Sequence, residues 1–146
     1  SLYHSKNVAE IDFEEYIKTL SFEITQLYSQ QHCDIENFIF VENITLDLDK
    51  AVPCGLIINE LVTNSYKHAF HEKKKGEIEI DFKDDKKGKY ILTISDNGMG
   101  LHEGFDMKKT DSLGMHLVKA FVKQLKGELK LGKGEGAEFT ITFPVE

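Results

Sequence analysis

Hydrophobic residues recur along the chain at two spacings, and the spacing changes from segment to segment. Phe13, Tyr16, Ile17, Leu20, Ile24, Leu27 and Tyr28 fall at helical intervals, which predicts a first amphipathic helix whose aromatics are core. Asp12 ahead of it, with Glu15 three residues on, makes a capping box. Phe38 and Phe40, then Ile44, Leu46 and Leu48, alternate with polar neighbours and predict two short strands around Glu42-Asn43. Asp49 follows as the candidate N-cap of a central helix, with Pro53 in its first turn. Alternation returns at Ile78, Ile80 and Phe82, and again at Tyr90, Leu92 and Ile94, with a polar hairpin loop over 84–89 between them. Residues 113–126 predict a third helix, with Leu117, Val118, Phe121, Val122 and Leu125 inward and Gly127 just past its end. Segments 128–131 and 138–143 predict a closing strand pair joined by a glycine-rich turn, while 101–110 has neither period and predicts a loop. Single helices alternating with pairs of strands predict an α+β fold: a two-layer sandwich of a mixed β-sheet with three helices on one face.

The central helix is the informative one. Residues 55–70 read GLIINELVTNSYKHAF. At about 100° per residue, Ile58, Leu61, Val62, Tyr66 and Ala69 share one side, with the small Ser65 among them. Glu60, Asn64, Lys67 and His71 form a stripe on the other side, with His68 at its edge. Taken alone, that stripe is also what the solvated face of an ordinary surface helix carries. Two glycine-containing segments further on change the picture: DNGMG over 96–100 and DSLGMHLV over 111–118. A carboxylate–amide–lysine helix face with two glycine loops is what a Mg-nucleotide site needs. In DNGMG, Asn97-Gly98 is a strong hairpin signal, but 101–105 makes a poor return strand. In DSLGMHLV a loop becomes a helix; Ser112 fits a simple N-cap, and the unpaired N–H groups of the first turn also suit a phosphate.

Composition narrows the partners. A chain of 146 residues with 40% apolar and 29% charged residues is one globular domain able to bury a core without staples. No run approaches the roughly 18 apolar residues of a membrane span, and no signal-peptide pattern opens the sequence, so the expected setting is cytoplasmic, without membrane contact. Cys33 and Cys54 make neither a disulfide framework nor a zinc site. The net charge of −7 argues against nucleic acid as a partner. All 18 basic residues are lysines, so no arginine fork or arginine finger comes from this chain.

NELVTNSYKHAF, DNGMG and DSLGMHLV, in that order, resemble the N box and the two glycine boxes of the GHKL ATPase superfamily, which covers gyrase, the heat-shock-90 chaperone, histidine kinases and MutL. NELVTNSYKHAF is similar to the catalytic domains of sensor histidine kinases of the HWE-related second dimerisation subfamily, and the match runs from about residue 2 to 144. The resemblance implies the Bergerat fold, with ATP and Mg²⁺ as cofactors. It implies that Asp96 accepts from the exocyclic amine of adenine, and that Gly98 and Gly100 let the backbone approach the ring. Ser112, Leu113, Gly114, Met115 and His116 would face the phosphates, Asn64 would ligate Mg²⁺, and Lys67 and His68 would neutralise phosphate charge. Glu60 would hold a metal-bound or attacking water as the catalytic residue. Two positions depart from the family pattern: Ser112 stands where other branches have glycine, and Ala137 where a threonine hydroxyl usually helps hold a water near adenine.

The implied function is the catalytic part of a two-component sensor kinase, transferring the γ-phosphate of Mg-ATP to a histidine on a separate dimerisation domain. None of His4, His32, His68, His71, His102 or His116 stands in the phosphoacceptor motif that the resemblance implies. Residues 1–10 then read as the end of an upstream helix and its linker, and 11–146 as the ATP-binding domain. The implied partners are that upstream phosphoacceptor domain and a response regulator, in a protein that is dimeric at full length. Two alternatives stay open: a free-standing serine kinase of the anti-sigma-factor type, and a nucleotide-binding regulatory module that transfers no phosphate.

Overall fold

Asp12 starts the first helix as its capping pattern requires. A computed structural model describes residues 9–28, 33–71, 75–101, 112–132 and 134–146. In it Glu10–Asp12 (β1) leads into Phe13–Leu27 (α1), and the Asp12 carboxylate accepts from the Glu15 N–H at 3.3 Å. Phe13, Ile17 and Ile24 are buried. Leu27, expected inside, is 79% exposed. Tyr28 takes the inward place at the helix end and stacks on Tyr66, ring centroids 5.1 Å apart. The predicted segment 1–10 falls outside the described residues up to position 8, as do the loop positions 102–110.

Five strands form the main sheet in the order β2–β4–β5–β7–β6: Asp34–Val41 (β2), Lys75–Asp84 (β4), Lys89–Asp96 (β5), Glu138–Pro144 (β7) and Glu128–Leu131 (β6). β2 runs parallel to β4 and the other pairs are antiparallel, so the sheet is mixed. The two strands predicted around Glu42-Asn43 exist, but they do not pair with each other. Glu42 extends the β2–β4 edge instead, its N–H donating to the Phe82 carbonyl at 3.1 Å and its carboxylate accepting from the Asp84 N–H at 3.0 Å. Thr45–Asp47 (β3) turns away and pairs antiparallel with β1 in a small second sheet.

Ile78, Ile80 and Phe82 of β4, Leu92 and Ile94 of β5, and Phe139, Ile141 and Phe143 of β7 are all buried under the helices. Phe82 is the centre of that layer, 4.6 Å from the ring of Phe13 and 5.3 Å from that of Tyr90. Glu77 and Glu79 line the opposite face in the open. Strict alternation along β4 and β5 therefore puts one face in the core and one in water.

The central helix differs from its prediction at both ends. It spans Leu48–Asn64 (α2), with Asp47 in the N-cap position and Asp49 inside the first turn. Pro53 accordingly lies inside the helix, past its first turn. At the other end the α-helix stops at Asn64 and the chain continues as a π-helical turn, Ser65–Ala69. The wider turn changes the phase of every side chain after Asn64. Leu113–Gln124 (α3) buries Met115, Val118 and Val122, followed by Leu125. Leu117, expected inward, is 37% exposed, because that buried stripe already fills the contact with α2 and the sheet. The left-handed residue closing α3 is Lys126 (φ 59°), one position before the glycine expected in that role. Cys54 is buried, which pushes its thiol pKa up, and Cys33 is half-buried.

A polar cluster ties α1, β2 and the π-helical turn together. Asn37 Nδ2 donates to Thr25 Oγ1 and to the Tyr66 hydroxyl, both at 2.9 Å, and Thr25 Oγ1 lies 2.9 Å from the Ser21 carbonyl. Tyr66→Phe removes one of the two acceptors Asn37 uses at a partly buried site. It is expected to cost about 1 kcal/mol of stability in urea denaturation; an unchanged midpoint would show that the cluster contributes nothing net.

Candidate functional site

The C-terminal end of α2, the end of β5 and the start of β7 meet at Asp96, the last residue of β5. Its backbone N–H donates to the Ala137 carbonyl at 2.9 Å, which anchors it against β7. Its carboxylate is held from three sides. Oδ1 accepts from the N–H of Gly98 at 2.9 Å and of Ala137 at 3.2 Å, and Oδ2 lies 2.7 Å from the Ser65 hydroxyl. Asn97-Gly98 is therefore a tight bend, not a hairpin: the Asn97 N–H bonds to the Glu77 carbonyl and the Met99 N–H to the Ala69 carbonyl.

Asp96 opens into a cavity of about 280 Å³ between α2 and α3. Leu61, Ala69, Met115 and Phe139 supply apolar walls, and Asn64, Ser65, His68 and Ser112 supply polar atoms. Gly100, Leu101 and Ala137 complete the lining. An apolar slot with a fixed carboxylate at its base and a few convergent polar groups has the build of a small-molecule site. The carboxylate accepts hydrogen bonds only, so it selects a ligand edge that donates.

The residues singled out from sequence do not share this cavity equally. Asn64, His68, Asp96, Gly100, Ser112, Met115 and Ala137 line it. Lys67 does not; it is exposed, because the π-helical turn carries it out of phase with Asn64 and brings His68 to the cavity instead. Glu60 is half-buried one turn before Asn64 and packs against the first turn of α3: a Cβ on Gly114 would come within 2.6 Å of Glu60 Oε2. Glycine at 114 thus lets the Glu60 carboxylate approach the positive end of a helix. Ser112 caps that helix, its Oγ accepting from the Met115 N–H at 3.4 Å. Leu113 and His116 point outward and are exposed. Gly98 is buried behind Asp96 against Ala69 and contributes its N–H, while Gly100, at φ 78°, brings its backbone against the Glu135 carbonyl.

Sequence reasoning missed Ser65, Leu61, Ala69 and Phe139 as lining residues, and gave Ser65 no role. The signal for Ser65 was present: it is the one small hydroxyl residue among the apolar positions of the central helix, beside Asn64. Among the described residues no helix is long and apolar enough to cross a membrane.

A family model for histidine kinase-, DNA gyrase B- and HSP90-like ATPases matches residues 49–146. Sensor histidine kinase PdtaS of Mycobacterium tuberculosis is 31% identical over 104 residues, covering 68% of this chain and 21% of PdtaS. Sensor histidine kinase YdfH of Bacillus subtilis is 36% identical over 103 residues, covering 69% of this chain and 24% of YdfH. The chain thus spans less than a quarter of the length of either relative. Among solved structures, the histidine kinase domain of the EL346 blue-light activated histidine kinase of Erythrobacter litoralis superposes with a TM-score of 0.82 at 23% identity, over 92% of this chain and 62% of that one. The fold is that of histidine kinase catalytic domains, and the family matched over 49–146 is one of ATPases. The chain belongs to the histidine kinase-, DNA gyrase B- and HSP90-like ATPase family.

Proposed function

We propose that this chain is the Mg-ATP-binding catalytic part of a sensor histidine kinase. The observation that supports the reading most is the Asp96 carboxylate, held by three protein donors at the base of an apolar slot with Asn64 on its wall. Adenine would enter with its exocyclic amine on Asp96 and its faces on Leu61, Met115 and Phe139. The triphosphate would then run past Asn64 and His68 toward Ser112 and the start of α3.

Among the described residues, no group of three or more His, Cys, Asp or Glu side chains could hold a metal ion by itself. That suits Mg²⁺, which keeps several waters and takes one or two protein oxygens with phosphate oxygens. Asn64 would supply the amide oxygen. When bound, the ion would neutralise charge on the transferring phosphoryl group. Glu60, one turn back, would orient a water or the incoming acceptor. The chemistry asked of the chain is positioning and charge neutralisation, with the acceptor histidine coming from a separate dimerisation domain and the phosphoryl group passing on to a response regulator.

Asn64→Ala tests the reading. Mg-ATP affinity, measured by calorimetry, is expected to fall about tenfold, while metal-free ADP stays within about twofold, since only the metal complex uses the amide oxygen. Equal losses for both nucleotides would remove Asn64 from the metal site.

A further inference from the structure

Ser65 sits where the α-helix gives way to the π-helical turn, 7% exposed. Its hydroxyl lies 2.7 Å from Asp96 Oδ2 and 3.2 Å from the Leu61 carbonyl. A hydroxyl has one proton to give. The Leu61 carbonyl already receives the Ser65 backbone N–H. The carboxylate is the charged and nearer acceptor, so the proton goes to Asp96. Asp96 Oδ1 meanwhile accepts from two N–H groups, those of Gly98 and Ala137. With three of its lone-pair positions filled from known directions, the carboxylate plane is fixed, and Oδ2 keeps one position for a ligand. Ala137, just before β7, supplies a backbone N–H, and the side-chain hydroxyl bonded to this carboxylate comes from Ser65 at the start of the π-helical turn.

We infer that Ser65 is a positioning residue for nucleobase selection: its hydroxyl orients Asp96 so that the remaining acceptor position of Oδ2 meets a donor on the six-membered ring edge of an aminopurine. The inference rests on the proposed ATP site and adds to it the residue that sets the carboxylate's aim. Loss of the hydroxyl leaves Oδ2 free to rotate toward water and away from the amine. The consequence is confined to ligands that carry that amine.

The test compares ATP with purine riboside triphosphate, which lacks the exocyclic amine, on the full chain and on Ser65→Ala. Alanine is smaller than serine and the strongest helix former, so the turn is retained; circular dichroism checks that. Wild type is expected to prefer ATP about tenfold or more. In Ser65→Ala, ATP affinity is expected to fall about fivefold to tenfold and that of purine riboside triphosphate less than twofold, so the preference collapses. Equal losses for the two ligands would show that Ser65 only packs the turn, and an unchanged preference would show that Asp96 needs no help; either overturns the inference and leaves the ATP site standing. A wild type that binds both ligands alike would overturn the adenine reading of Asp96 and this inference with it.

Discussion

Asp96→Asn is expected to lower ATP affinity about 5- to 150-fold, the equivalent of about 1–3 kcal/mol for a buried hydrogen-bond partner left unmet. The substitution is sharper than removal of the side chain. Asp96 serves the fold as well as the ligand: it accepts from Gly98, Ala137 and Ser65. Alanine would strand all three donors. Asparagine can keep its amide oxygen on the two N–H groups at the Oδ1 position, and turn its NH₂ toward Ser65 and the cavity. Ser65 then accepts from the amide and returns its own proton to the Leu61 carbonyl, 3.2 Å away. The protein network is rebuilt, while the group facing adenine changes from acceptor to donor and opposes the exocyclic amine. Stability should therefore change little and ATP affinity much. Calorimetry showing wild-type ATP affinity in Asp96→Asn would end the adenine assignment; a large drop in melting temperature would show that the carboxylate's main duty is structural.

The buried sheet face and the place of Asp96 at a strand end were legible in the sequence. The alternation along β4 and β5 fixed which face is buried, because period two leaves no second choice once one face packs on helices. Asp96 and the bend after it were readable, because no strand signal follows the turn. What was not legible followed from geometry that sequence period does not encode. The π-helical turn at Ser65–Ala69 changes the helical phase after Asn64, with Lys67 off the cavity and His68 on it. β2 pairs with β4 over Asp34–Val41, and Glu42 extends that edge to Asp84, a contact between residues 42 positions apart. Asp49 is the candidate cap in the sequence, with Pro53 expected in the first turn; the chain instead begins α2 directly from β3, with Asp47 at the junction.

Gly136→Ala is expected to be the most damaging glycine-to-alanine change among the described residues, costing about 3 kcal/mol of stability and most of the ATP affinity. The reason is a backbone approach rather than a backbone angle. A Cβ at 136 would meet the carbonyl oxygen of Asp96, with its carbonyl carbon at 2.6 Å and Oδ1 at 2.9 Å. The first two are main-chain atoms of a strand, so no side-chain rotation relieves the overlap. Inserting even one methyl group into such packing typically costs about 1–3 kcal/mol, and more when backbone must shift. What must shift is the start of β7, and that is what carries the Ala137 N–H to Oδ1 and the Ala137 carbonyl to the Asp96 N–H. Moving it loosens the carboxylate at the moment it opens the sheet, so fold and site fail together. Gly134→Ala is the control two residues away: a Cβ there meets nothing within 4 Å, and the change is expected to stay within about 0.5 kcal/mol. Urea denaturation of the two variants, each with and without ATP, separates the effects. Gly134→Ala should track wild type under both conditions. Gly136→Ala should unfold at lower urea and gain little from added nucleotide, because a ligand stabilises only in proportion to its affinity for the folded state. A Gly136→Ala chain that unfolds with wild type would mean that β7 can yield to the methyl group without losing its hold on Asp96.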